Sequence, residues 1–254
     1  MTKTLVWSYG GGVQTAAIAV LIRNGGLPRP DIALMADTGR EATATWDYLH
    51  NVLQPYLDPV GVKVQIASHS LATTDLYAHN GDLLIPAFTA DGKLPTFCSG
   101  EWKRDVIRRQ LRLLGVTGCD LWLGISFDER ERAKPSTRKW INHLFPLVDN
   151  FISREGCLML VEKAGLPRPP KSSCWMCPHR KNEQWRDLRD NHPEDWRKAI
   201  EVDNQIRATD QLQGKSGVYL HTSRTPLEMA NIEEPTSGQM DLFGVGCSSG
   251  YCWT

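Results

Sequence analysis

Apolar and polar positions along this 254-residue chain follow two alternating periods. Short apolar runs near 3–8, 31–36, 62–67 and 120–126, each bounded by turn residues, read as buried strands. Between them lie stretches with helical spacing near 13–24, 41–54 and 101–114. In the first, Val13, Ala16, Ala17, Val20 and Leu21 form one apolar face, and in the second Trp46, Leu49, Val52 and Leu53 do so. The third carries Trp102, Val106, Ile107, Leu111 and Leu114. Strands alternating with helices in this way predict an α/β fold with a parallel sheet and helices on both faces. From about 151 the pattern becomes helical, near 153–164, 180–190 and 193–207, and after Gly214 it is irregular. The expected organisation is therefore an α/β domain over 1–150 and a helical, cysteine-bearing segment over 151–254. Residues 70–97 lack a sustained period and read as a long active-site loop or lid.

The first strand passes into its helix through Ser8-Tyr9-Gly10-Gly11-Gly12-Val13-Gln14-Thr15. A turn without side chains at a helix N-terminus presents backbone N–H groups and the positive end of the helix dipole, a ready phosphate site. Ser8 and Thr15 place hydroxyls beside it. No Lys follows the glycines, which excludes a P-loop, and no third spaced glycine follows, which excludes a dinucleotide fingerprint. The second strand ends at Asp37-Thr38-Gly39-Arg40-Glu41. The fourth ends at Gly124-Ile125-Ser126-Phe127-Asp128-Glu129-Arg130. Polar residues just past the C-terminal ends of parallel strands lie on the ligand-binding edge of the sheet. Gly124 would let a nucleotide approach the backbone closely. Carboxylates such as Asp128 and Glu129 can hold a metal, whereas Glu131 and Arg132 read equally well as a solvated charge run.

These three segments, in this order, resemble the PP-loop ATP pyrophosphatases of the phosphoadenylyl-sulfate (PAPS) reductase-like family. They are also similar to the ATP pyrophosphatase component of DNA phosphorothioation systems. Gly11-Gly12-Val13 takes the Gly-Gly-x positions of the PP-loop, with Gly10, Gln14 and Thr15 around them. Gln14 stands where that motif has Asp, a departure that bears on how Mg²⁺ is held. The resemblance implies an adenine nucleotide α-hydrolase-like fold with ATP held by Ser8, Gly10, Gly11, Gly12, Gln14, Thr15, Asp37, Thr38, Gly39 and Gly124. It further implies reactive-site roles for Cys98, Lys103, Arg104, Asp128 and Glu129. Cys98 followed by Lys103 is similar to the family's Cys-Thr-x3-Lys element, whose Lys meets substrate phosphate or sulfate.

Seven cysteines occur in a chain showing neither an apolar leader nor a membrane-length run, so free thiols in the reducing cytoplasm are expected. Cys119 and Cys157 fall on apolar faces and read as core. Cys174-Trp-Met-Cys177-Pro178 and Cys247-Ser-Ser-Gly-Tyr-Cys252 make two close pairs that suit one four-thiolate site. A [4Fe–4S] cluster is favoured over Zn²⁺ because Cys followed by Pro is common among cluster ligands. A second set, Cys98 with Cys174, Cys177 and one C-terminal Cys, stays open. A redox disulfide fits less well, because Cys174 follows an irregular Pro-rich loop rather than a strand.

Acidic and basic residues balance at 29 each, which excludes a generic polyanion binder, although basic residues cluster at 103–112, 130–139 and 180–189. Most of the nine Trp read as core. Taken with the resemblance, the expected activity is ATP-dependent adenylylation of a substrate, with a nucleic acid as the leading class. That step would activate the substrate for sulfur insertion, as in DNA phosphorothioation or tRNA thiolation. A cysteine desulfurase or another sulfur donor is the expected partner, and no membrane. Two other readings remain: a sulfonucleotide reductase releasing sulfite, and a nucleotide-sensing subunit without turnover.

Overall fold

The structure, a computed structural model, describes residues 3–71, 75–212 and 217–234. Five parallel strands form the main sheet: β1 (Thr4–Ser8), β2 (Ile32–Ala36), β3 (Val64–Ala67), β6 (Cys119–Trp122) and β7 (Ile141–Leu144). A two-stranded antiparallel hairpin, β4 (Phe88–Thr89) and β5 (Gly92–Lys93), stands apart from it. The sheet order is β3-β2-β1-β6-β7. Strands are added on one side of β1 and then on the other, so the crevice between β1 and β6 is the topological switch point, where ligands of open α/β sheets bind.

Helix α1 (Val13–Arg23) follows β1. α2 (Thr43–Tyr48) and α3 (Gln54–Leu57) are joined by a π turn at Leu49–Leu53. Pro55 has no N–H to donate, and the widened turn just ahead of it lets the helix continue. A second π turn, Gly100–Arg104, leads into α4 (Asp105–Leu113). α5 (Pro146–Asp149) and α6 (Arg154–Lys163) follow β7, and α7 (Asn182–Asn191) and α8 (Pro193–Leu212) come last.

Two apolar layers sandwich the sheet. Trp7, Val13, Ala17, Val20, Leu53, Cys157 and Val161 pack on one face, and Val6, Leu34, Val106, Ile107, Leu111 and Leu121 on the other. Fully burying a Leu- or Val-sized side chain contributes roughly 1.5–3 kcal/mol, so these layers outweigh any single polar contact described below. Burial pushes the Cys119 thiol up to about 11 and the Cys157 thiol up to about 12, as expected of core cysteines. Trp102 and Trp185 are likewise buried.

The described chain forms two compact units: one takes residues 3–71 together with Ser99–Ser172, and the other takes residues 75–98 together with the described residues from Ser173. Within the first unit α6 puts Cys157 and Val161 into the same apolar layer as α1, which ties it to the sheet. The stretch expected to be a structureless lid carries the β4–β5 hairpin, and Phe88 bridges to Tyr219 within the second unit. No helix among the described residues is long and apolar enough to cross a membrane.

Candidate nucleotide site at the sheet edge

The turns after β2, β1 and β6 lie side by side, because these three strands are neighbours in the sheet. Three segments read separately from the sequence therefore share one edge. Gly11 has φ +77°, a left-handed conformation that a side chain disfavours. A Cβ there would lie 2.5 Å from Thr45 Cγ2 and 3.2 Å from Ser172 Oγ, so this glycine is required by both conformation and space. At Gly10 the nearest atom to a Cβ would be 3.8 Å away, and at Gly12 likewise 3.8 Å. A Cβ at either of those two positions would make only ordinary van der Waals contact, so they leave room at the start of α1.

Helix α1 begins at Gly12 with no side-chain cap and no acidic residue in its first turn. Helix α6, by contrast, is capped by Ser153, whose hydroxyl accepts from the Gly156 N–H at 3.1 Å. The positive end of the α1 dipole thus has no capping or acidic group from its own first turn. Ser8 Oγ, Tyr9 Oη and Thr45 Oγ1 are buried nearby without a hydrogen-bond partner among the described residues. Orphaned buried hydroxyls are uncommon in folded proteins and call for a missing partner. Burial, with the Tyr48 hydroxyl and the Glu41 carboxylate close by, pushes the Tyr9 phenol far above its usual range.

Thr15 behaves otherwise than expected. Its hydroxyl donates to the Gly12 carbonyl at 2.9 Å, and its methyl group lies 2.7 Å from where a Gly124 Cβ would be. Gly124 therefore admits the start of α1 itself, and the space assigned to a nucleotide in that direction is filled by Thr15. Gln14 Nε2 donates to Glu129 Oε2 at 3.3 Å, and Arg132 pairs with Glu129 at 2.6 Å. Asp128 accepts from the backbone N–H of Arg154 at 2.7 Å and so caps α6. Desolvation raises its pKa, but the hydrogen bond from the Arg154 N–H and the nearby Arg154 charge help hold the carboxyl below its ordinary value. Asp37 Oδ1 accepts from Gly39 N–H at 2.7 Å, Thr38 Oγ1 accepts from Arg40 N–H at 3.1 Å, and Gly39 adopts φ +67°. This second turn is thereby fixed at the edge.

One group of this cluster had no role assigned to it from the sequence. Glu41, whose side chain is 1% exposed, pairs with Lys103 Nζ at 3.1 Å and accepts from Ser172 Oγ at 3.0 Å. Ser172 in turn borders Gly11. A buried carboxylate thus connects the second motif, the glycine turn and the π turn that carries Lys103. The same two segments also meet where the Arg40 guanidinium lies 4.4 Å over the Trp102 ring. Lys103, expected as an exposed anion-binding cation, is half-buried and ion-paired, and Arg104 lies 3.5 Å from Asp105. In the sequence Glu41 closes the Asp37-Thr38-Gly39-Arg40-Glu41 element, which is similar to the second motif of the reductase-like family, but nothing there pairs it with Lys103.

The second unit holds Cys98, Cys174 and Cys177, all half-buried. The Cys177 N–H donates to the Cys174 carbonyl at 3.1 Å, the Arg180 N–H to the Cys177 carbonyl at 3.1 Å, and the Arg180 guanidinium to the Cys174 carbonyl. This turn presents two thiols three residues apart. Cys247 and Cys252 lie outside the described residues, so half of the expected ligand set is in view. Among the described residues no group of three or more His, Cys, Asp or Glu side chains is gathered as a metal would need.

No family model matches the chain, and no curated protein matches it. Among solved structures it is similar to the U34-tRNA thiolase NcsA from Methanococcus maripaludis, a protein described with its [4Fe-4S] cluster. The identity is 16% and the TM-score 0.45, over 79% of this chain and 70% of that one. At that level of similarity the fold assignment rests on the sheet order of this chain itself.

Proposed function

We propose that this protein is an ATP pyrophosphatase that adenylylates a nucleic-acid substrate and so activates it for sulfur insertion. The observation that carries the reading is the α1 N-terminus: three glycines, no cap, no first-turn acid, and a buried Ser8 hydroxyl lacking a partner beside it. A polyphosphate supplies what those groups lack. The β- and γ-phosphates lie across Gly10–Gly12, and Lys103, held by Glu41, faces negative charge at the same edge. Glu129, hydrogen-bonded to Gln14 and paired with Arg132, is the carboxylate that would hold Mg²⁺ in the place of a Gln14 carboxylate, and the ion would neutralise phosphate charge there.

A substrate oxygen attacks the α-phosphorus, the bond from that phosphorus to the bridging oxygen breaks, and pyrophosphate departs. The nucleophile's proton passes to solvent. A sulfur nucleophile then displaces AMP from the activated centre. Catalysis of this kind consists of positioning and electrostatic stabilisation. Cys174 and Cys177, with Cys247 and Cys252, form the proposed cluster site, with Cys98 as the alternative ligand or nucleophile. A bound [4Fe–4S] cluster would supply sulfur or redox chemistry, with a cysteine desulfurase as the expected sulfur source.

Calorimetric titration with ATP and Mg²⁺ tests the site. Gly10→Ala, which adds a methyl at ordinary contact distance and without a backbone penalty, should weaken binding at least tenfold at a melting temperature close to wild type. Equal affinity in that variant overturns the assignment. Incubation with PAPS and thioredoxin, scored for sulfite, separates this reading from a sulfonucleotide reductase.

A further inference from the structure

Two of the basic clusters seen in the sequence, 103–112 and 130–139, meet in the first unit. Arg104, at the end of the π turn, and Arg108 and Arg112 on α4 recur every fourth position and so share one stripe, about 12 Å long. Beside this stripe runs the segment that leads into β7. The Arg112 guanidinium lies 3.8 Å over the Trp140 ring, and His143 Nδ1 on β7 donates to the Lys134 carbonyl at 3.0 Å. The segment is fixed by a turn at Ser136, whose hydroxyl accepts from the Arg138 N–H at 3.1 Å, and the Arg138 carbonyl accepts from the Ile141 N–H at 3.0 Å. Lys134, Arg138 and Lys139 are exposed on it.

The charge along this strip is one-sided. No acid occurs between Asp105 and Asp120, nor between Glu131 and Asp149. Arg104 and Arg108 reach the same Asp105 oxygen, at 3.5 and 3.0 Å, so one carboxylate serves two guanidinium groups. Asp120 alternates along β6 with the core residues Cys119 and Leu121 and so faces the other layer, where Lys3 and Asn142 engage it at 3.6 and 2.8 Å. The Arg108 side chain is only 15% exposed. Burial disfavours its charge, and Arg104 and Arg138 add repulsion that Asp105 offsets only in part. A guanidinium cannot shed its proton, so the excess positive charge stays in place. A merely solvated charge run would not hold one of its cations half-buried among like charges. Cations drawn out along one strip are the footprint of a polyanion site.

We propose that the α4 stripe and the Lys134–Trp140 segment form a track for the phosphate backbone of the nucleic-acid acceptor, leading to Lys103 at the sheet edge. The proposal rests on the acceptor being a nucleic acid, as in the reading above. Over the length of the stripe one strand of nucleic acid presents several phosphates, which a single small anion does not.

The test is fluorescence anisotropy of the full chain with a fluorescein-labelled single-stranded DNA 12-mer, from about 50 to 200 mM salt. Log affinity falls with log salt by about 0.7 for each phosphate engaged on a single strand. Arg138→Gln and Lys139→Gln, made singly, should each weaken binding about fivefold and flatten that slope by about 0.7. Melting temperature and ATP affinity should hold, because both side chains are exposed. Arg138→Lys, which keeps the charge, should bind as the wild type does. Lys63→Gln removes an exposed cation beside the edge strand β3 and should leave affinity and slope unchanged. Unaltered affinity and slope in both track variants overturn the proposal, and so does an equal loss in Lys63→Gln. A matching loss of ATP affinity also overturns it, since the strip would then belong to the nucleotide site. If the wild-type chain binds no oligonucleotide yet releases pyrophosphate from ATP, the track and the nucleic-acid acceptor both fall while the pyrophosphatase stands. Oligonucleotide binding that follows the strip in a chain that leaves ATP intact keeps the track and sinks the adenylylation.

Discussion

The sheet edge of the first unit and the α7–α8 region of the second are both rich in buried polar contacts, but they satisfy them in different ways. Along the edge, Ser8, Tyr9 and Thr45 keep buried hydroxyls without partners among the described residues, and α1 starts uncapped. In the second unit Asp203, 1% exposed, accepts from the N–H groups of Leu220 and Leu227 at 2.8 and 3.0 Å and pairs with Arg207. His221 Nδ1 accepts from the Ser223 N–H at 3.1 Å, so Nε2 carries the proton and donates to Asn182 Oδ1 at 2.9 Å. Asn182 Nδ2 then donates to the carbonyls of Asn231 and Glu234. The Asp203 and His221–Asn182 contacts are complete in themselves, as a structural joint should be, although Trp185 Nε1 on α7 is buried without a partner among the described residues. The sheet edge is incomplete in the manner of a site that waits for an anion.

The largest expected effect lies at Gly11. Valine there meets Thr45 and Ser172 in a left-handed conformation, and overpacking plus backbone strain should cost about 3 kcal/mol or more in urea unfolding. Gly10→Ala should stay within about 1 kcal/mol of wild type. Equal costs at the two positions would break the distinction drawn between a glycine that shapes the turn and one that leaves room for a ligand. Glu41→Ala comes next. It removes the buried carboxylate that pairs with Lys103 and bonds Ser172, and should cost about 2–3 kcal/mol, less than for a fully buried pair because Lys103 keeps some solvent.

A smaller effect belongs to the second unit and depends on pH. Burial lowers the His221 pKa below the ordinary value, with Asp203 opposing, so the folded protein binds this proton less readily than the unfolded chain. Stability should therefore fall as pH drops below about 6.5. His221→Gln should flatten that slope when melting is followed between pH 5 and 8. A first-unit melting transition with the same His221-dependent slope would erase the contrast between the regions. Smallest is Asp128→Asn, which weakens the cap on α6 and should cost about 0.5–1 kcal/mol by thermal melting.

Much of the first unit was legible because periodicity reports burial directly. The four strands near 3–8, 31–36, 62–67 and 120–126 are present, as are the helices between them. β7 was not found, because Ile141-Asn142-His143-Leu144 is a four-residue edge strand with a polar middle following a basic stretch. The β4–β5 hairpin has two residues per strand, too few for any period to show. The glycine turn was readable from its neighbours in sequence. The Glu41–Lys103 pair was not, since it joins residues that only the fold brings together. Asp128 was read as a metal or reactive carboxylate, and its contact with Arg154 depends on where α6 docks.

The central claim is cleavage of ATP between its α- and β-phosphates at the edge of the sheet. Phosphorus-31 NMR of ATP and Mg²⁺ incubated with the full chain and a pool of single-stranded oligonucleotides tests it directly. Pyrophosphate should accumulate together with an adenylylated acceptor or AMP, without ADP. ADP with inorganic phosphate would contradict the account, and so would ATP that stays intact in the presence of every acceptor supplied.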